Sequence, residues 1–291
     1  MKRGFAILGA GRLGRTLGRL LALRNYPPGG LSCRTLRSAR QASAFIGGGT
    51  PTTSNPQAAT RAPLVLIATP DREIVPVARE LAGARLAWTG RIVAHTSGAL
   101  SSLALAPLKS RGASVASIHP LASVAAPRPD VEFRGTPFAI EGAPKAVRVL
   151  RGMVLDIGGL PVTIPREAKA LYHLIACILS NDLVAFLACG FESARGLGLG
   201  PRQAARLYLP LIRGTVENVA GLGPVKALTG PISRGDIATL RLHTEALRTL
   251  PADVRRLHRI LALRSTDLAL RARTITPELA ARTARLLGAL P

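Results

Sequence analysis

Short apolar runs alternate with helix-length stretches through the first half of the chain. Phe5–Leu8 leads into a glycine-rich turn and then a helical pattern to about residue 24. Apolar runs recur at 31–33, 64–68, 91–94 and 114–118. The run at 64–68 is continuous, as a strand buried on both faces requires. Weaker runs at 138–140 and 162–164 belong near a sheet edge. This alternation predicts an α/β fold: a doubly wound, mostly parallel sheet. From Pro165 onward the strand pattern gives way to helical periodicity. Pro165 suits the first turn of a helix, and the pairs Gly200-Pro201, Gly223-Pro224 and Gly230-Pro231 punctuate the helical half. The chain is therefore expected to divide into domains 1–164 and 165–291, the second all helical. Residues 47–51 and 127–129 read as surface loops.

The stretch 168–190 is apolar almost all round, which predicts a central, buried helix. His173, Asn181 and Asp182 interrupt it, so a buried helix is expected here and a membrane span is not. Lys169, His173, Ser180 and Asn181 are the polar residues in it that need partners. At about 100° per residue, Lys169, His173 and Ser180 fall within about 40° of one another, and Asn181 about 120° from Lys169. A base, an imidazole, a hydroxyl and a carboxamide near one stripe can bind and protonate a carbonyl or imine. His173, Lys169 and Asn181 are thus the catalytic candidates, with His173 the first choice for proton donor because an imidazole titrates near neutral pH. Helix–helix hydrogen bonds, or a solvated Lys169 near the helix start, are the structural alternatives.

Gly9-Ala10-Gly11-Arg12-Leu13-Gly14 is a GxGxxG motif placed after a predicted strand and opening a predicted helix. Gly9 permits the tight turn, Gly11 the approach of a pyrophosphate, and Gly14 close packing of helix on strand. Domain 1–164 is therefore a dinucleotide-binding domain of Rossmann type. An acid about 20 residues beyond the motif would hold the ribose 2′-hydroxyl of NAD. Here residues 31–38 read Leu-Ser-Cys-Arg-Thr-Leu-Arg-Ser, without an acid. Arg34 and Arg37 can grip a 2′-phosphate, with Ser32, Thr35 or Ser38 donating hydrogen bonds. The expected cofactor is NADP.

Ligands of open α/β sheets bind beyond the carboxyl ends of the strands. Thr69-Pro70-Asp71, His95-Thr96-Ser97-Gly98-Ala99 and His119-Pro120-Leu121 all fall there. Thr69, Pro70, His95 and Ser97 join the cofactor-binding candidates, and His119 is a further candidate proton donor. Asp71 and Ser97 also suit helix caps, and either histidine could be structural. Arg234 and Asp236 sit in a dense turn that either closes a site or connects helices.

Aromatic residues make up 3% of the chain and hydrophobic residues 47%, so the cores must be aliphatic. The formal net charge is +23, with only five lysines among 39 basic residues. The arginines are scattered and aromatics for base stacking are few, so no nucleic-acid partner is expected. Cys33, Cys177 and Cys189 are an odd, widely spaced set, which argues against a disulfide framework or a metal site. The apolar run at the N-terminus is too short for a secretory leader. A cytoplasmic location is expected.

The motif at 9–14, His95-Thr96-Ser97-Gly98-Ala99-Leu100, Ile118-His119-Pro120-Leu121, Tyr172-His173 with Ser180-Asn181, and Thr229-Gly230-Pro231 with Arg234-Gly235-Asp236 occur in one order. In this the sequence resembles the two-domain NADP oxidoreductases that join a Rossmann-like domain to a helical domain of unknown function. More distantly it is similar to pyrroline-5-carboxylate reductase, ketopantoate reductase and the β-hydroxyacid dehydrogenases. The resemblance implies a homodimer formed through domain 165–291, and an active site in a cleft, acting on a small-molecule substrate. The β-hydroxyacid dehydrogenases place a Lys and an Asn one helical turn apart. Here His173 stands four residues after Lys169, and Asn181 eight later. The expected activity is an NADP-dependent oxidoreductase moving a hydride between nicotinamide and a small carbonyl, imine or hydroxy compound. The competing expectation is a non-catalytic NADP-binding sensor or assembly protein.

Overall fold

The computed structural model describes residues 2–122 and 133–288. Their strands form one eight-stranded sheet in the order β3-β2-β1-β4-β5-β6-β7-β8. The first half runs β1 (Phe5–Leu8), α1 (Arg12–Leu23), β2 (Pro28–Ser32), α2 (Leu36–Ile46), β3 (Thr50–Thr52), α3 (Asn55–Thr60), β4 (Leu64–Ile67), α4 (Asp71–Gly83) and β5 (Ile92–His95). It continues through α5 (Ala106–Lys109), β6 (Ser114–Pro120), β7 (Pro137–Gly142), α6 (Pro144–Asp156) and β8 (Leu160–Thr163). Every pairing is parallel except β6 with β7. Strand order reverses between β1 and β4, so the crevice above these two strands is the switch point where such sheets take ligands.

Alternation along the central strands explains the packing. Phe5 and Ile7 enter one core with Leu17, Leu31 and Ile118, whereas Ala6 and Leu8 enter another with Val65, Ile74 and Trp88. Successive side chains point to opposite faces, and helices cover both. That is why β1 and β4 read as uninterrupted apolar runs. The expected surface loop at 47–51 is corrected in part: Thr50–Thr52 pairs with β2 as an edge strand. Three residues are too few to show a period, and a proline is tolerated at an edge where its missing N–H breaks no ladder. The loop expected at 127–129 lies outside the described residues.

The chain forms two compact units, Met1–Asp182 and Leu183–Pro291. The helices after the sheet are α7 (Lys169–Ser193), α8 (Pro201–Ala227), α9 (Pro231–Arg234), α10 (Ile237–Leu247), α11 (Ala252–Arg271) and α12 (Pro277–Gly288). The second unit has two small cores, one of Leu247, Ala262 and Leu287 and one of Ala269, Ile275 and Ala280. Asp236 caps α10 by accepting the Thr239 N–H at 3.0 Å.

The expectation of a buried helix at 168–190 is overturned. Lys169 alone is buried along α7, and Leu179 and Val184 are 70% and 67% exposed. Apolar residues all round a helix signal that every side needs cover, but not where the cover comes from. Each compact unit by itself supplies little of it. By length and composition alone this helix could cross a membrane, although His173, Ser180, Asn181 and Asp182 lie within the span.

Candidate active site

The β1–α1 turn has the shape a phosphate ligand needs. Gly9 sits at φ +80°, and a Cβ there would lie 2.6 Å from Thr69 Cγ2 and 2.9 Å from Thr69 N. Only glycine allows that turn against β4. Gly11 is exposed, with nothing but the Gly9 carbonyl near the place of a Cβ. It is also the N-cap of α1 and offers no side chain to the helix's first N–H groups. A bare helix start beside an open glycine ledge is a ready anion site. The Ser32 carbonyl accepts from Gly9 N and Ala10 N at 3.0 and 3.1 Å, which ties the loop to β2. Arg15 donates to Ala10 O at 3.0 Å and to Ser38 O at 3.2 Å. The Thr69 hydroxyl, buried beside the loop, has no hydrogen-bond partner among the described residues. Leu13 and Gly14 continue into α1, and Arg12 is exposed beside them. At the β2–α2 junction Arg34, Thr35 and Arg37 are exposed. The hydroxyls there have other work: Thr35 caps α2 by accepting from Ser38 N, and Ser32 donates to Asn55 Oδ1 at 2.7 Å. Pro70, also exposed, precedes α4.

A second cluster forms where β5 and β6 end. His95 is fully buried; its Nε2 lies 3.0 Å from Ser101 O, and its Nδ1 accepts from Ser97 N at 3.2 Å. These partners fix an Nε2–H tautomer. Burial pushes the ring down to about 4, so it is neutral at physiological pH and serves to hold the loop. The Ser97 hydroxyl donates to Asp71 at 2.7 Å and accepts from Ala99 N and Leu100 N. Lys169 enters from the start of α7 and donates from Nζ to Ser97 O and Ser117 Oγ, each at 2.8 Å. Burial lowers it to about 8, against the raising influence of Glu141 and Asp71.

One turn along α7, the Tyr172 hydroxyl lies 3.0 Å from His119 Nδ1. Burial, then the Lys169 and His173 charges, lower His119 to about 4, and burial raises Tyr172. The neutral ring and the un-ionised phenol share one hydrogen bond. The His119 and His173 rings meet edge to face at 5.9 Å, and both pack on Gly98. A Cβ at Gly98 would overlap His173 and lie 3.0 Å from His119 Nε2. His173 Nδ1 is 3.7 Å from Cys177 Sγ. These groups border a cavity of about 480 Å³ lined by His119, Tyr172, His173, Cys177, Ser180 and Asn181, with Leu121, Ile175 and Leu179 as its apolar wall.

Residues 2–120 match a family model described as a Rossmann-like domain, and residues 136–265 match the domain of unknown function DUF2520. The chain joins a Rossmann-like domain to a DUF2520 domain. A protein of Bacteroides fragilis provisionally named an NADP oxidoreductase shares the fold at 21% identity and a TM-score of 0.73, over 92% of this chain and 98% of that one. A reductive aminase from Aspergillus terreus in complex with NADPH and ethyl levulinate has a TM-score of 0.68 at 17% identity, over 92% and 94%. A pyrroline-5-carboxylate reductase from Coxiella burnetii has a TM-score of 0.59 at 16% identity, over 98% and 99%. No curated protein matches the chain at a significant level.

The DUF2520 match begins inside the sheet, so it takes in β7 and β8 as well as α7. His173, Ser180 and Asn181 of that domain meet His119 of the Rossmann-like domain around one cavity. Lys169 stands apart from them, seated on the sheet edge rather than solvated. Among the described residues, Arg234 and Asp236 belong to the second unit, where Asp236 is a helix cap. Ser117, Glu141 and Cys177 are not singled out by sequence. Glu141 is the single polar residue of β7, and Ser117 stands between apolar neighbours in β6; that interruption is their only signal.

Proposed function

We propose that the protein is an NADP-dependent oxidoreductase acting on a small carbonyl, imine or hydroxy compound. The observation that carries this reading is the β1–α1 turn: the positive φ of Gly9, the open ledge at Gly11, the uncapped helix start and the unpartnered Thr69 hydroxyl. The residues present fit a dinucleotide. Residues Gly9 to Gly14 and Thr69 would hold the pyrophosphate, and Arg34 and Arg37 a 2′-phosphate, since no carboxylate at the end of β2 repels it. When bound, NADPH supplies the hydride. The names of the structural neighbours, an NADP oxidoreductase, a reductive aminase and a pyrroline-5-carboxylate reductase, point the same way.

In this reading the reactive carbonyl or imine sits in the cavity beside His173. That imidazole delivers the proton, and Asn181 orients the reacting heteroatom. His119, neutral and held by Tyr172, forms the wall that fixes the His173 ring. Lys169 ties the Ser97 loop to Ser117 of β6. The exposed apolar surface of α7 is covered by a second copy of the chain, giving a homodimer, because so much apolar surface in one place is rarely left in water. Calorimetric titration with NADPH and NADH tests the cofactor assignment, and NADPH consumption with a panel of cyclic imines and ketone–amine pairs tests the reaction. Equal affinity for the two dinucleotides would refute the NADP assignment.

A further inference from the structure

Three buried polar side chains cross the sheet in one row. Pairing places His95 of β5 beside Ser117 of β6, and Ser117 opposite Glu141 of β7. Directly opposed residues project to the same face with Cβ atoms about 5 Å apart. Their exposures are 0%, 0% and 4%. The neighbouring registers are apolar or small, Ala94 with Ala116 and Ile118 with Ile140. A polar row in such a core costs stability unless its groups are satisfied.

The groups in this row are satisfied. Glu141 accepts from Ser102 N at 2.5 Å and from Ser102 Oγ at 2.7 Å, and Arg166 Nε lies 3.6 Å from its Oε2. Ser102 starts the short turn after the His95–Ser101 loop, and Arg166 stands three residues before Lys169. Lys169 meets the row at Ser117, but its hydrogen-bond acceptors, Ser97 O and Ser117 Oγ, are neutral. An ammonium that is 2% exposed needs negative charge close by.

We propose that Glu141 is a positioning residue for Lys169: one strand beyond Ser117, its carboxylate keeps the ammonium charged and seated, while its grip on Ser102 holds the loop that carries Ser97. This rests on the reading of this sheet edge as the active site. Among the described residues, the charged and titratable groups around Lys169 are Asp71 of α4, His95 of β5, His119 of β6, Glu141 of β7, Arg166 of the turn before α7, and Tyr172 and His173 of α7. His95 and His119 are neutral, and Asp71 is exposed and bonded to Ser97. Glu141 is therefore the buried anion of the group. Its influence on Lys169 is the largest that opposes burial.

The test needs neither cofactor nor substrate, so its failure is separate from failure of the proposed reaction. With only five lysines, a protein carrying ¹³C-labelled lysine gives a resolvable set of Cε signals, and Lys169 is assigned with Lys169→Met. In the native protein its signal should titrate near 8. In Glu141→Gln the midpoint should fall by on the order of one pH unit. In Ser102→Ala, which loosens the loop but keeps the carboxylate, it should move much less. An unchanged midpoint in Glu141→Gln, or equal shifts in the two variants, would overturn the proposal. If Glu141→Gln does not fold, Arg166→Gln decides the matter: removing the cation beside Glu141 must raise the Lys169 midpoint, and no rise refutes the idea.

Discussion

Replacing Lys169 with Met probes the buried charge through folding stability. The ammonium's fall from 10.5 to about 8 corresponds to about 3 kcal/mol at 1.36 kcal/mol per unit. The sign comes from proton counting. Below pH 8 both folded and unfolded states hold the proton, and the folded state bears the full desolvation cost. Between about 8 and 10.5 the unfolded chain still holds the proton while the folded state releases it, so stability rises with pH. Met abolishes that rise. It also leaves Ser97 O and Ser117 Oγ without their donor, at roughly 1–3 kcal/mol for an unsatisfied buried group. The Ser117 hydroxyl, already 3.3 Å from Ser97 O, relieves part of this loss. At pH 7 the two effects nearly cancel, so the informative quantity is the pH dependence of the difference. Cys33, Tyr26 and Tyr172 are all raised by burial and make stability fall at alkaline pH, but they do so in both proteins. The assay is urea unfolding at fixed protein concentration between pH 7 and 10. It is followed by the fluorescence of Trp88, the one tryptophan, which is 2% exposed in the sheet's core. Native stability should gain about 2 kcal/mol or more on the variant across that range. A difference that stays flat would refute the account of Lys169 as a desolvated ammonium.

The same geometry sets four other outcomes. Arg34→Asp should erase or reverse a preference for NADPH over NADH, because it restores the acid at the end of β2; calorimetric affinities for both dinucleotides check this. His173→Ala should leave NADPH affinity nearly intact and lower turnover by roughly a hundredfold or more, measured by NADPH oxidation once a substrate is found; full activity would move the proton-donor role to another group. Gly98→Ala should cost about 1–3 kcal/mol in unfolding experiments, since the added methyl must displace the His119 and His173 rings; an unchanged midpoint would show that the two rings can give way. Light scattering should report a dimer at micromolar concentration, and a monomer would refute the role given to α7.

What the chain discloses by itself is local or periodic. Phe5–Leu8 and 64–68 announce strands because a buried strand needs every side chain apolar. Gly9, Gly11 and Gly14 announce the loop because its chemistry is held within six residues. The acid missing from 31–38 is equally plain. The polar cluster could not be read this way, because its contacts join residues far apart: Ser97 with Lys169, Ser102 with Glu141, Ser117 with Lys169. The antiparallel pairing that sets Ser117 against Glu141 is a property of the assembled sheet. His95 and His119 look alike in sequence, each closing an apolar run. Only the fold distinguishes the ring whose two nitrogens are spent on its own loop from the one that faces a cavity. The same limit explains α7. Its composition states that the helix must be covered, and burial depends on how much matching surface other segments can bring to it, which no local pattern records.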